Sequence, residues 1–238
     1  CFDIEKRLIE ELSIPVMHDD QHGTAIVTLA ALVNAAKVVK KNIRKLRVVI
    51  SGAGAAGTAV AKLLVRAGIT DIVVLDRTGA LYEGRMDMNI QKQELAGLTN
   101  PRKVVGDLQT VLVGADVFIG LSGPNLLTSD HIRTMADRSI VFALSNPVPE
   151  IMPDEAREGG AAVIGTGRSD FPNQINNALV FPGIFRGALD RGVTKITEET
   201  KVRAAKALAS LVPVPTAKKI VPDLFDTRVV LTVAKAVR

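Results

Sequence analysis

The chain has no tryptophan and one tyrosine, and aromatic residues make up only 3% of its 238 positions. A core without large rings has to be built from aliphatic side chains, and hydrophobic residues reach 47% of the composition. Aliphatic strands of this kind suit a parallel sheet that is covered by helices on both faces. Charged residues at 23% place the chain among globular rather than disordered proteins.

Cysteine and long apolar runs are also scarce. The single cysteine, Cys1, excludes an internal disulfide and fits a reducing compartment. No signal peptide is visible, and the longest apolar stretch, residues 25–39, is interrupted by Thr28, Asn34 and Lys37. A helix that spans a bilayer needs about 20 apolar residues. We therefore expect a cytoplasmic protein with no membrane segment.

The net charge of +5 raises the question of nucleic-acid binding. The basic residues are scattered, however, and no aromatic side chains are interleaved with them for base stacking. The densest basic cluster, residues 37–47, runs from the end of a predicted helix into a predicted strand, where cations complement the helix dipole. We interpret the charge as mainly structural, with a weak preference for anionic small molecules, and expect no nucleic-acid partner.

Short aliphatic runs alternate with helical patterns, which predicts an α/β fold with a doubly wound parallel sheet flanked by helices. Strands are predicted at 14–17, 46–51, 71–76, 116–119, 139–144 and 162–164. Helices are predicted at 3–12, 24–41, 55–67, 129–136, 185–191, 198–211 and 228–237, which adds helices at both ends of the chain. The polar segment 18–23 is expected to form a turn, after which Thr24 opens the long helix.

A glycine-rich turn connects the predicted strand 46–51 to the helix 55–67. It reads Gly52-Ala53-Gly54-Ala55-Ala56-Gly57, the pattern GxGxxG. The first glycine permits the tight turn, the second lets the backbone approach a pyrophosphate, and the third lets helix and strand pack closely. The helix N-terminus adds hydrogen-bond donors and positive potential. This context predicts a dinucleotide site at these six residues in a Rossmann-type fold.

An acidic residue, Asp76, closes the next predicted strand. At this position a carboxylate accepts hydrogen bonds from the adenosine ribose hydroxyls and repels a ribose 2′-phosphate, so it favours NAD over NADP. Arg77 favours NADP instead, because an arginine at that position accommodates the ribose 2′-phosphate. An ordinary acidic turn at a strand end remains the alternative interpretation of Asp76.

The segment His18-Asp19-Asp20-Gln21-His22 places two carboxylates and two imidazoles within five residues. Mg²⁺ or Mn²⁺ would prefer the carboxylates, whereas Zn²⁺ would also recruit the histidines. Two adjacent acids do not easily face one ion, so one ligand and one hydrogen-bonding neighbour are expected. An acidic helix N-cap that binds no metal explains the residues equally well.

Asparagines follow two of the predicted strands. Asn146 comes after strand 139–144, and Asn173, Asn176 and Asn177 follow strand 162–164. Ligands of open α/β sheets bind at the carboxyl ends of strands, so these amides are candidates for binding a substrate carboxylate or the nicotinamide amide. Turn formation is the alternative for Asn146, since Asn-Pro is a frequent turn starter. For the cluster after strand 162–164 the alternative is that its amides only tie down a loop.

Together these segments resemble the malic enzymes, most closely the short bacterial and archaeal type. The matching stretches are residues 14–25, 52–57, 144–147, 166–174, 176–177 and 181–190. The resemblance implies that residues 1–238 form the NAD(P)-binding domain of an enzyme that oxidises and decarboxylates malate to pyruvate and CO₂. It also implies a Mg²⁺ or Mn²⁺ cofactor, and a homo-oligomer for the full-length enzyme.

The resemblance assigns roles residue by residue. It implies that Asp20 binds the catalytic metal and that Asp19 orients the active-site lysine. It implies that Asn146 contacts malate and the nicotinamide end of the cofactor. The second substrate-binding asparagine is Asn176 or Asn177, with Asn176 favoured. The family gives the histidines of the acidic segment no ligand role, which removes the zinc interpretation.

The resemblance also implies that part of the active site is missing. In the family a Glu-Asp pair that completes the metal site lies just upstream of the segment matching Cys1 and Phe2, and the catalytic tyrosine and lysine precede it. Tyr82 does not match that tyrosine. We therefore expect this chain to be a piece that binds dinucleotide and is inactive alone. A related amino acid dehydrogenase and a free-standing nucleotide-binding module remain as alternatives.

Overall fold

The computed structural model describes residues 1–238. Its α-helices are α1 (Phe2–Glu11), α2 (Asp19–Val38), α3 (Ala55–Arg66), α4 (Ile90–Leu98), α5 (Leu108–Leu112), α6 (Ser129–Arg133), α7 (Pro153–Glu158), α8 (Phe181–Arg191), α9 (Glu198–Ser210) and α10 (Arg228–Ala236). Its strands are β1 (Val48–Ser51), β2 (Ile72–Asp76), β3 (Gly79–Ala80), β4 (Val117–Gly120), β5 (Ile140–Ala143) and β6 (Val163–Thr166). Short 3-10 helices lie at Ile43–Lys45 and Asn177–Leu179.

The strands form one six-stranded sheet in the order β3-β2-β1-β4-β5-β6. All neighbours are parallel except the edge strand β3, which pairs antiparallel with β2. The chain leaves β1 to form β2 on one side and returns to form β4 on the other, so the strand order reverses at β1. The crevice at this reversal is where doubly wound sheets bind their ligands.

The sheet separates two hydrophobic cores, because successive strand residues point to opposite faces. On one face, Ile50, Val74 and Ile119 belong to a cluster of 45 buried residues that includes side chains of α2, α3, α8, α9 and α10. On the other face, Val49 and Phe118 belong to a cluster of 16 that includes side chains of α5, α6 and α7. The predicted α/β class and the aliphatic core are both confirmed.

Helix α2 is buried along most of its length and is tied to the C-terminal part of the chain by a polar residue. Asn34 is fully buried. Its Nδ2 atom donates to the carbonyl oxygens of Ala209 and Ile220, each at 2.9 Å. Its Oδ1 atom accepts from Lys37 Nζ at 3.0 Å. A buried amide with these three bonds is satisfied and fixes the orientation of α2.

Two local predictions at the start of the chain are wrong. Residues 14–17 join no strand of the sheet, although they precede α2 as an irregular segment. Helix α2 begins at Asp19 with His18 as its N-cap, so the expected turn at 18–23 is the first turn of the helix. The reason is tertiary: the backbone N–H of His18 donates to Glu5 Oε1 at 2.8 Å, a partner in α1.

No helix is both long and apolar enough to cross a membrane.

Candidate dinucleotide and substrate site

The glycine-rich turn lies between β1 and α3, where the sequence predicts it. Gly52 has a φ of +119°, a conformation that glycine adopts without strain. A Cβ at this position would lie 2.6 Å from the carbonyl oxygen of Leu121, in the loop after β4. A Cβ at Gly57 would overlap the carbonyl oxygen of Gly52. These contacts show that the first and third glycines permit the tight turn and the close packing of α3.

Gly54 differs, because a Cβ there would meet nothing within 4 Å. Gly54 is exposed and is the N-cap of α3, and the first turn of the helix contains no acidic residue. Open space beside a helix N-terminus with free N–H groups fits the pyrophosphate of a dinucleotide. The residues of this turn therefore fit the predicted cofactor.

Asp76 ends β2 and is held by three neighbours. Its Oδ1 atom accepts from the backbone N–H and the hydroxyl of Thr78 at 3.0 and 2.9 Å. Its Oδ2 atom accepts from Arg85 Nη2 at 2.5 Å and from Lys92 Nζ at 2.6 Å. Burial opposes ionisation of Asp76, but the hydrogen bonds from Arg85, Lys92 and Thr78 outweigh it and hold its pKa well below the usual range.

No sequence pattern singles out Arg85 and Lys92, the two cations on this carboxylate. Arg85 lies in the loop after β3, and its side chain is only 8% exposed because it also donates to the carbonyl oxygens of Gly79 and Ala80. Arg77 is identified by its position directly after the strand, and it is exposed beside Asp76. Arg85 is shared with a second carboxylate, because its Nε atom donates to Asp87 Oδ1 at 2.6 Å. The end of β2 thus has two carboxylates, Asp76 and Asp87, two engaged cations and the exposed Arg77.

The two acids at the start of α2 lie in different surroundings. Asp20 is exposed, while Asp19 is partly buried and its Oδ2 atom accepts from Asn177 Nδ2 at 2.5 Å. The Oδ1 atom of Asp19 is buried without a hydrogen-bond partner, and a Cβ on Gly23 would overlap it. Burial, and then the charge of Asp20, raises the pKa of Asp19 against the opposing effect of Asn177.

A network of side chains supports this helix start. Glu5 accepts from the backbone N–H of His18 and pairs with His22 Nε2 at 3.0 Å. Lys201 of α9 lies 2.9 Å from His22 Nδ1 and donates to Glu198 at 2.7 Å. Burial, followed by the charge of Lys201, lowers the pKa of His22. His22 is thus engaged in holding α1, α2 and α9 together.

The candidate asparagines after β5 and β6 make separate contacts. A Cβ on Gly167, which follows β6, would lie 2.7 Å from Asn146 Nδ2, so the amide of Asn146 lies directly against this glycine. Asn176 uses its Oδ1 atom to accept from the backbone N–H of Ala178, which caps the 3-10 helix that Asn177 begins. The structure therefore brings Asn177 to Asp19, and Asn146 to the neighbouring strand end.

Asn173 has a different role. It is buried, and its Nδ2 atom donates to the carbonyl oxygens of Ile164 and Ala217. Its Oδ1 atom accepts from the backbone N–H of Ile220. This asparagine ties the loop after β6 to the C-terminal segment, which agrees with the interpretation of the cluster as a means of fixing a loop.

The donor set for a metal is incomplete within the chain. No three His, Cys, Asp or Glu side chains are arranged to hold a metal ion. Mg²⁺ takes about six oxygen ligands in a near-octahedral arrangement, and Asp20 offers one exposed carboxylate. The residues of this chain alone therefore do not make a divalent-metal site.

Comparison with protein families matches residues 21–238 to the family described as "Malic enzyme, NAD binding domain". The chain belongs to the malic enzyme family. The match begins at Gln21, in the first turn of α2, and runs to the last residue, so it includes the glycine turn and the asparagines. The resemblance found in the motifs is thereby confirmed for the dinucleotide-binding domain.

Curated malic enzymes of both cofactor types are similar to the chain. It is 56% identical to the bifunctional malic/malolactic enzyme of Bacillus subtilis, with 100% of the chain and 58% of the relative covered. It is 52% identical to the NAD-dependent malic enzyme of Geobacillus stearothermophilus, covering 100% and 50%. Identity to the NADP-dependent malic enzyme of Halomonas elongata is 48%, covering 100% and 60%. The chain thus spans between half and three-fifths of these relatives.

Solved malic enzyme structures share the fold. The NAD-dependent malic enzyme of Thermotoga maritima superposes with a TM-score of 0.96 at 46% identity, covering 100% of this chain and 63% of that one. The malic enzyme of Entamoeba histolytica gives 0.95 at 42% identity, covering 99% and 51%. The Rossmann-type arrangement predicted from the sequence is therefore that of solved malic enzymes.

Proposed function

We propose that this chain is the dinucleotide-binding domain of an enzyme that oxidises and decarboxylates malate to pyruvate and CO₂ with NAD(P)⁺. The observation that carries the proposal is the hydrogen bond between Asp19 and Asn177. These residues come from two different motifs of the malic enzyme family. Their contact joins the start of α2 to the segment that follows β6.

The chain's own residues bind and orient the reactants. The turn at Gly54 and the N-terminus of α3 bind the pyrophosphate, and the crevice where the strand order reverses directs the nicotinamide half toward β4 and β5. When bound, NAD(P)⁺ would supply the hydride acceptor for the oxidation of malate at C2. Asn146, and Asn176 or Asn177, orient malate through amide N–H groups that donate to its carboxylate oxygens. This positioning lowers the barrier to hydride transfer by removing unproductive orientations.

The acidic pair takes the roles that the family assigns. Asp20 is exposed and available to serve as one ligand of Mg²⁺ or Mn²⁺, together with groups from outside this chain. Asp19, fixed by Asn177, orients the active-site lysine, which also lies outside it. The position of the Asp19 carboxylate also explains the glycine at position 23, because any Cβ on Gly23 would displace that carboxylate.

The preferred cofactor is NAD. Asp76 is ionised at neutral pH, and Arg85 and Lys92, which help to hold its pKa below the usual range, are engaged with that carboxylate. A ribose 2′-phosphate would bring further negative charge to the end of β2. The exposed Arg77 is the nearby cation that opposes this preference.

The test is malate turnover by the protein that contains this chain together with the family's preceding domain. We expect malate- and metal-dependent formation of NADH, with pyruvate released in equal amount, and loss of turnover in Asp20→Asn. A protein that binds NADH tightly but forms none from malate would overturn the proposal and favour a free-standing nucleotide-binding module.

Location and assembly follow from the same proposal. We propose a cytoplasmic enzyme, in keeping with its single free cysteine, Cys1. We also propose a homo-oligomer that binds neither nucleic acid nor membranes. Sedimentation of the full-length protein would check the assembly, and a monomer at working concentration would contradict it.

A further inference from the structure

Glu150 is a fully buried acidic residue that no sequence motif marks. It lies after β5, before α7, with 0% of its surface exposed. Its Oε1 atom accepts from the backbone N–H of Ser122 at 3.2 Å and from the hydroxyl of Ser145 at 2.5 Å. Its Oε2 atom accepts from the backbone N–H of Ser145 at 3.1 Å. All of these donors are neutral, so no cation offsets the burial of this group.

The sheet makes room for this side chain. Gly120 is the last residue of β4, and a Cβ there would overlap the carboxyl group of Glu150. Glycine weakens a strand interior, and in this position it marks the close approach of another group. Burying an acidic group without a cation is costly unless its oxygens are well bonded. The fold therefore has both a glycine in β4 and a buried acidic group without a cation, and together they place the carboxyl group between the ends of β4 and β5.

From this position Glu150 connects to both halves of the predicted site. Through Ser122 it reaches the glycine turn, because Ser122 Oγ lies 2.9 Å from Ser51 Oγ and the preceding residue, Leu121, abuts Gly52. Through Ser145 it holds the residue directly before Asn146. Two of its three hydrogen bonds are to backbone N–H groups, so it fixes the paths of the two loops themselves.

We propose that Glu150 is a positioning residue for the nicotinamide half of the cofactor. Its carboxyl group fixes the positions of the loops after β4 and β5. Through Ser145 it also fixes the amide of Asn146, and these groups face the nicotinamide ring. That the ring bound at this place is nicotinamide rests on the proposed function. Glu150 itself touches neither cofactor nor substrate, because its side chain is covered by the loops that it holds.

The experiment compares Glu150→Gln with a matched control. A glutamine has the size of glutamate but presents an NH₂ group in place of one oxygen, so it leaves either Ser122 N–H or Ser145 N–H without an acceptor. Glu155→Gln is the control, because Glu155, on α7, also accepts from one backbone N–H, that of Ser129 at 3.2 Å. The chain is titrated with NADH and with ADP-ribose, which lacks the nicotinamide.

We expect Glu150→Gln to weaken NADH binding by roughly tenfold and ADP-ribose binding by much less. The nicotinamide end loses the loops that Glu150 holds directly, whereas the glycine turn that binds the pyrophosphate is reached only indirectly, through Ser122. The control variant should bind both ligands as the unaltered chain does. Equal weakening of both ligands would indicate a purely structural role, and no change in either would show that the loops do not depend on Glu150. Both results would overturn the proposal.

A second variant covers the case in which Glu150→Gln fails to fold. Ser145→Ala removes one donor and keeps the carboxyl group, and it should weaken NADH selectively in the same direction. In the malate-oxidising protein, Glu150→Gln should lower kcat more than it raises the KM for malate. If the unaltered protein oxidises no malate, the proposed function fails, while the comparison of NADH with ADP-ribose still decides the role of Glu150.

Discussion

Asn177 Nδ2 donates to Asp19 Oδ2 at 2.5 Å, although 158 positions separate the two residues in the chain. Since the acceptor is a partly exposed carboxylate, we expect a coupling free energy of about 1 kcal/mol in a double-mutant cycle of Asp19→Ala and Asn177→Ala. Urea denaturation of the four proteins measures it. Asn176→Ala, paired with Asp19→Ala, is the control, and a coupling near zero for Asn177 would contradict the contact.

Gly23→Ala should destabilise the protein, although alanine normally stabilises a helix relative to glycine by about 1 kcal/mol. The sign reverses because the new Cβ would overlap Asp19 Oδ1. Gly97→Ala in α4 is the matched control, since its Cβ would meet only Glu83 Oε1 at 3.8 Å. Thermal denaturation should therefore move the two variants in opposite directions, and a stabilised Gly23→Ala would show that Asp19 is not fixed as described.

Gly54→Ala and Gly57→Ala should separate cofactor binding from folding. In Gly57→Ala the new Cβ would collide with the backbone at Gly52, so that variant should lose stability and binding together. The methyl group at position 54 meets nothing, so that variant should fold with a loss of about 0.5 kcal/mol at the N-cap and still bind NADH poorly. Calorimetry with NADH checks both. Undiminished binding by Gly54→Ala would place the pyrophosphate elsewhere.

The acid stability of the protein should depend on Arg85. Asp76 titrates near 3.8 when unfolded and lower when folded, so its contribution to the free energy of unfolding is present above pH 3.8 and is lost as the pH falls below it. In Arg85→Met the folded pKa moves back toward 3.8, and less stability remains to be lost. Denaturation at a series of pH values on both sides of 3.8 should give a flatter curve for the variant. Parallel curves would contradict this.

The choice of cofactor should follow the charge at the end of β2. We expect the unaltered chain to bind NAD more tightly than NADP. Asp76→Asn should reduce this preference for NAD, and Arg77→Ala should increase it. The ratio of the two dissociation constants measures the effect in each protein. A preference for NADP in the unaltered chain would mean that Arg77 outweighs Asp76.

Much of the fold is predictable from local pattern. The strand at β1, the glycine turn and α3 follow from an aliphatic run, GxGxxG and a helical pattern, and their predicted bounds lie within two residues of the observed ones. Thr197, directly before a helical pattern, is a predictable cap of α9, and its side chain accepts from the backbone N–H of Thr200. These features depend on interactions between residues that are close in the sequence, so the local sequence pattern predicts them.

The start of α2 is not predictable in this way. Its first turn depends on Glu5, which accepts from the N–H of His18 and from Gln21 Nε2 across an intervening irregular segment. The partners of Asp76 in the loop and helix beyond β3, and the carboxyl group of Glu150 beneath two loops, likewise depend on contacts between separate elements. Residue type indicates which chemistry is present, while tertiary packing determines which groups meet.

The buried amide of Asn34 has a consequence for the order in which the chain reaches its final form. Its acceptors are the carbonyl groups of Ala209 and Ile220, so α2 cannot complete its polar contacts until Ile220 has left the ribosome. Domains generally fold as units during synthesis. Helix α2, which carries the acidic pair at its start, is therefore synthesised early but makes these contacts late. Nascent chains stalled before Ile220 should remain sensitive to proteases.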